Sequence, residues 1–306
     1  MSGLKTFLKD KLKLHRFRNQ LRLRLQKSKK AHEQKKYIDT YDAAALIETL
    51  RKMGVRAGDN IMLHSRYEEF YNYTGSPVDV IEGLLHLLGP EGTLFMPSYG
   101  KSNLHFDVCK TPSAAGMITE FFRRKKDVVR SVCGDFSVAG YGPLAQEVTR
   151  DHINSRYGFD EHSAYYKFTQ LKNAKVIVLG LEARSPYFTV MHCIDWALKD
   201  KLPYFKQLMG GRYVSIVVDF DGAVHEKQMI ARVPCKINDQ RNRSMYAQMP
   251  EETWSCGQLS NLGISVYSAI EAFDAYMRMA YEGKPSYVKP YPWKKLFVPF
   301  SESGCL

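Results

Sequence analysis

Apolar residues recur at helical spacing near the start of the chain, where Leu4, Phe7, Leu8, Leu14, Phe17, Leu21 and Leu25 stand among Lys and Arg. This predicts a basic amphipathic helix within residues 1–38. From residue 39 the pattern alternates between helical and strand periods. Residues 42–53 (DAAALIETLRKM) predict a helix capped by Asp42 and stopped by Gly54, and residues 60–64 (NIMLH) a buried strand. Pro77 opens a helix that Gly89 closes, and residues 93–96 form the next strand. Further helices are expected at 113–125, 143–151 and 265–281, and strands at 174–179, 212–219 and 223–231, the last two joined at Asp221–Gly222. The alternation describes one α/β body over 39–283, without internal repeats. Residues 284–306, rich in Pro and aromatics, read as a tail that packs back onto it.

Composition changes this picture at one point. The 306 residues carry a net charge of +12, which suggests nucleic acid until it is mapped. Thirteen Lys and Arg against Asp10 and Glu33 lie within residues 1–36, leaving 31 basic and 30 acidic residues in the rest. A neutral body offers no basic groove, so nucleic-acid binding is not expected. The basic segment can lie on an anionic membrane surface, dock on a partner or a twin subunit, or remain a solvated arm; a transit peptide is a further reading. No run approaches the roughly 18 apolar residues of a membrane-spanning helix, and no secretory signal is visible. A cytoplasmic protein is expected, peripheral on the inner face of the membrane if the basic segment binds there. The six cysteines form no C-x-x-C pair, so neither a metal site nor a disulfide framework is expected.

Several blocks then appear in order: a strand ending in His64–Ser65, GPEGTLFMPSYG (89–100), FDVCKTPSAAGMITEFFRR (106–124) and RSVCGDFSVAGYGPLA (130–145). DHINSRYGFDEHSAYYKF (151–168), KVIVLGL (175–181) and Thr189-x-x-His192-x-x-Asp195 follow. Together they resemble the aminoglycoside 3-N-acetyltransferase family. The resemblance implies that family's own α/β fold, distinct from the GNAT acetyltransferases, and acetyl-CoA as co-substrate in a groove. It implies His192 as catalytic base with Asp195 beside it, where the family carries Glu. Coenzyme contacts carried over by position are His64, Ser65, Arg130, Ser131 and Ser137, with Arg66 adjoining. Two departures stand out: Cys133–Gly134 replaces a His–Pro pair, and Arg66 with Glu68–Glu69 replaces small polar and apolar residues.

Acyl transfer from a thioester to an amine needs a base, because a sugar amine is largely protonated near neutral pH. Histidine titrates in the right range, and a carboxylate three residues along a helix can orient it. Thr189, His192 and Asp195 would then share a face. Ser65 and Ser131 can supply hydroxyls to the developing oxyanion, and Arg130 suits a coenzyme phosphate. Cys133 opens an alternative in which its thiolate takes the acyl group first. A cationic acceptor calls for carboxylates, with Asp107, Asp160, Glu161 and Asp195 as candidates, and for stacking rings such as Tyr99.

The expected activity is that of a coenzyme-A-dependent N-acyltransferase acting on an amino sugar. A surface-polysaccharide precursor is favoured over an antibiotic, because the basic segment would place the enzyme at a membrane. The competing reading is a degenerate family member that binds coenzyme A or a partner without catalysis.

Overall fold

The computed structural model describes residues 39–181, 189–233, 235 and 237–287, together with positions 25, 28, 31, 32, 35 and 36. Those six positions are helical. The expected amphipathic helix and the tail beyond Tyr287 otherwise lie outside the described residues.

The centre is a seven-stranded sheet in the order β4-β5-β2-β1-β6-β10-β9. Its strands are β1 (Asn60–Ser65), β2 (Thr93–Pro97), β4 (Val129–Arg130), β5 (Val138–Tyr141), β6 (Ala174–Leu179), β9 (Trp254–Leu259) and β10 (Leu262–Ser268). β1 runs parallel to both β2 and β6, with Ile61 opposite Leu94 and Lys175. The flanking strands are antiparallel. A three-stranded sheet of β3 (His105–Asp107), β7 (Met209–Val218) and β8 (Val224–Arg232) stands apart.

The parallel strands carry apolar runs at 61–63, 94–96 and 176–179 because both faces are covered. On one face Ile61, Leu63, Leu94, Met96, Ile177 and Leu179 pack against α1 (Ala43–Lys52), α2 (Pro77–Leu88) and α3 (Met117–Phe122). On the other, Met62, Phe95, Val176 and Val178 meet α4 (Ala145–Arg150), α5 (Ala164–Thr169), α6 (Cys193–Leu198) and α9 (Ala269–Tyr281). The remaining short helices are α7 (Pro203–Lys206) and α8 (Asp239–Arg243). Local signals set the ends as expected: Asp42 accepts from the Ala45 amide, and Ser76 with Asp79 forms a capping box ahead of Pro77.

Two expectations are corrected. The helix expected at 265–281 begins at Ala269, because residues 262–268 pair with β6 and the Ser268 side chain caps the helix. The helix expected at 113–125 shrinks to α3, since Gly116 at φ 117 precedes it in a conformation no helix holds. No described helix is long and apolar enough to cross a membrane.

Candidate active site

A cleft of about 290 Å³ opens where the parallel strands β1, β2 and β6 end. An open parallel sheet places ligands there, because its loops diverge at the carboxyl ends of the strands. Leu63 to Arg66 leave β1, Pro97 and Tyr99 leave β2, and Leu181 follows β6, with Glu68 and residues 114–116 completing the lining. Four expected contacts, His64, Ser65, Arg66 and Tyr99, therefore meet in one cleft. Burial lowers His64 to about 4, so its imidazole is neutral, and its buried Nε2 has no hydrogen-bond partner among the described residues.

His192 stands at the join between a 3₁₀ turn (Thr189–His192) and α6. That helical stretch brings Asp195 towards it, but only to 3.9 Å from Nδ1. The Thr189 side chain is not among those described. Nδ1 is hydrogen-bonded instead to the Tyr287 hydroxyl. The ring lies parallel to Tyr287, at 5.7 Å and 11°, and 4.9 Å from Phe159. Burial holds His192 well below its ordinary value, helped by the Arg232 charge and by His64. It is therefore a neutral imidazole, and no described residue is hydrogen-bonded to its Nε2.

Asp195 is fully buried and ion-paired with Arg232, whose Nε lies 2.8 Å from Oδ2. The Tyr157 hydroxyl donates to the same oxygen at 3.2 Å. Burial raises the Asp195 carboxyl above its usual range, and Arg232 opposes the rise.

Several expected site residues are corrected by their surroundings. Cys133 is fully buried, its thiol donates to the Asp135 carbonyl, and burial pushes it up to about 12. A thiol so held supplies almost no thiolate. The Arg130 guanidinium is spent on the carbonyls of Ser98, Val108 and Thr111, leaving no fork for a phosphate. Ser131 accepts from the Val138 amide and meets buried His152, while Ser137 donates to the Ser131 carbonyl; both pin the β4–β5 connection. Asp160 is buried, its oxygens taken by Ser155 and by the amides of Arg156, Tyr157 and His162. Asp107 caps the Cys109 and Lys110 amides, and exposed Glu161 is outside the cleft lining. The second residue of the Cys133–Gly134 departure has a packing role: a Cβ on Gly134 would lie 2.9 Å from the Asn103 carbonyl oxygen and strike Ser215 of β7.

Arg232 and Tyr287 contact Asp195 and His192 respectively, although the sequence did not single them out. Arg232 ends an alternating strand, where an arginine usually faces water, and Tyr287 sits among many aromatics of the tail. Among the described residues no three His, Cys, Asp or Glu side chains converge as a metal site requires.

The buried neutral histidines predict acid sensitivity. His152 is held at about 3, by burial first and then by Lys227, and His64 at about 4. Below the ordinary histidine value the unfolded chain binds protons that the folded chain refuses, so stability is complete above about pH 6.5 and falls as pH drops. At about 1.4 kcal/mol per pH unit, each contributes a loss on the order of 3 kcal/mol by pH 4. Urea unfolding from pH 7.5 to 4.5 checks this; a flat profile between pH 7 and 5 would refute it.

A family model described as Aminoglycoside 3-N-acetyltransferase matches residues 62–280. Aminoglycoside N(3)-acetyltransferase IV of Salmonella sp is 34% identical over 164 residues, covering 53% of this chain and 60% of that enzyme. The prophage-derived acetyltransferase-like protein YokD of Bacillus subtilis (strain 168) is 24% identical over 192 residues, 55% of this chain and 68% of YokD. The fold matches aminoglycoside acetyltransferase AAC(3)-Xa with a TM-score of 0.69 at 18% identity, over 85% of this chain and 99% of that one. It also matches AAC-IIIb in its binary structure with CoASH, with a TM-score of 0.65 at 17% identity, over 83% of this chain and 100% of that one. The ordered blocks, the parallel-sheet cleft and the residue range matched agree: the chain belongs to the aminoglycoside 3-N-acetyltransferase family.

Proposed function

We propose that the chain transfers an acetyl group from acetyl-CoA to an amine of an aminoglycoside-like amino sugar, with His192 as general base. The observation that carries this reading is His192 itself, neutral through burial, with Nδ1 hydrogen-bonded to Tyr287 and no described residue bonded to Nε2. The amine nitrogen attacks the thioester carbonyl as Nε2 takes its proton; the C–N bond forms, the C–S bond breaks, and the imidazolium returns the proton to the departing thiolate. Ser65, in the cleft beside His64, is the hydroxyl suited to the oxyanion, and exposed Arg66 suits a coenzyme phosphate. Glu68 is the one carboxylate among the described cleft residues and the best partner for an acceptor ammonium.

The names of the relatives favour an aminoglycoside acceptor, and the related AAC(3)-IVa was crystallised with apramycin. The polysaccharide precursor expected from the sequence rests on residues 1–36 at a membrane, which lie almost wholly outside the described residues.

A thiol-release assay with acetyl-CoA tests the reading, using apramycin and a nucleotide-linked amino sugar as acceptors. Apramycin is expected to support turnover, and Cys133→Ala to keep kcat within about 3-fold, since a thiol unable to ionise takes no part. Turnover on the nucleotide-linked sugar alone would replace the acceptor. Coenzyme A binding with no turnover on any amine would establish the non-catalytic reading.

A further inference from the structure

We infer that Tyr287 is the positioning residue of the His192 base, its hydroxyl relaying between the imidazole Nδ1 and the Asp195 carboxylate. This rests on the reading of His192 as a base. The carboxylate oxygen nearest to Nδ1 lies 3.9 Å away, beyond the reach of a hydrogen bond. The Tyr287 hydroxyl is bonded to that nitrogen. Tyr287 is 2% exposed and its backbone is fixed: it bridges to Ile237, and its carbonyl accepts from the Tyr204 hydroxyl at 3.1 Å. The Arg232 guanidinium lies over its ring at 4.5 Å. The ring therefore cannot swing away without undoing a cation–π contact, on a backbone that is itself held in place.

The proton directions close around this arrangement. For Nε2 to act as base in a neutral imidazole, Nδ1 must carry the hydrogen and donate it to the Tyr287 oxygen. The phenol hydrogen is then directed to Asp195, whose Oδ2 already accepts from Arg232 and Tyr157 and whose buried Oδ1 has no hydrogen-bond partner among the described residues. When Nε2 gains the amine proton, the imidazolium charge is stabilised through this chain while Tyr287 and Asp195 keep their protonation states. Arg232 and His64 both work against a charged His192, so the relay offsets them. An aspartate too short to touch its histidine is thereby connected to it.

The test uses the full chain. Tyr287→Phe keeps the ring and removes the relay; kcat is expected to fall about 10- to 100-fold, part of the roughly 100- to 10,000-fold that a positioned base supplies. KM for acetyl-CoA should move less than about 3-fold, since the coenzyme cleft is untouched. Adding Asp195→Glu to that variant supplies one more methylene and should restore at least about 10-fold of the lost kcat by direct contact with Nδ1. Asp195→Glu alone should lower activity, because the longer carboxylate meets the hydroxyl. A simple packing role for Tyr287 would give no such rescue. Nitrogen-15 NMR of the His192 ring, assigned by its loss in His192→Gln, should show the Nδ1–H tautomer in wild type and a shift towards Nε2–H in Tyr287→Phe. A wild-type Nε2–H tautomer, or unchanged kcat and tautomer in Tyr287→Phe, overturns the inference. If the wild type acetylates no amine, the base reading fails, while the NMR comparison still decides where Tyr287 directs its hydroxyl.

Discussion

Replacing His192 with alanine should lower kcat for amine acetylation by about 100- to 10,000-fold, the range a positioned general base contributes. The loss should appear in kcat and in kcat/KM alike, because proton removal is felt in the transition state and not in the binding of either substrate. Coenzyme A affinity, measured by calorimetry, should stay within about 3-fold, because the cleft at the ends of β1, β2 and β6 does not include the His192 side chain. Raising the pH should recover part of the lost rate, since an amine that is already neutral needs no base. A variant with near wild-type kcat at pH 7 would remove His192 from the mechanism. A variant that no longer binds coenzyme A would make the residue one of binding.

Replacing Arg232 with methionine should destabilise the fold by about 3–5 kcal/mol at pH 7, the effect of leaving a buried charge without its partner. Asp195 is fully buried and Arg232 has only 14% of its side chain exposed, so water cannot take the guanidinium's place. Burial already raises the Asp195 carboxyl, with Arg232 the strongest opposing influence. Without Arg232 the folded-state pKa rises further above the unfolded value. A group raised in this way is most favourable to folding below its unfolded pKa and loses that stability as pH climbs through the folded one. The deficit against wild type should therefore be largest at neutral pH and shrink towards pH 5: the His64 and His152 contributions cancel in the comparison, and His192, relieved of the Arg232 charge, moves the deficit in the same direction. Guanidinium unfolding at both pH values measures it; a pH-independent deficit below about 1 kcal/mol would show that the pair is not held as described.

Much of the fold was legible because the signals were local. Asp42, Pro77 and Gly89 mark helix ends by chemistry that operates within a few residues, and β6 announces itself through the apolar run 176–179. Residues 265–268 were misread because Val266 fits the helical stripe that continues through Phe273 and Tyr276; pairing with β6, more than eighty residues earlier, decides the matter. The site divided in the same way. His64, Ser65 and Arg66 are contiguous at a strand end and share the cleft with Tyr99. Arg130, Ser131 and Asp160 are the residue types that a coenzyme or a cation would use, yet each is occupied by backbone groups that the sequence cannot display. Asp195 was implied by the family resemblance, with its spacing from His192 in agreement, whereas Arg232 and Tyr287 reach the His192–Asp195 pair from segments with no visible link to it.

Tyr287 follows His192 by 95 residues and lies just past the last helix of the body. During synthesis the sheet, the cleft and the histidine all leave the ribosome before the hydroxyl that holds the ring. The hydrogen bond between them can therefore form only after nearly every other described part of the body has been made.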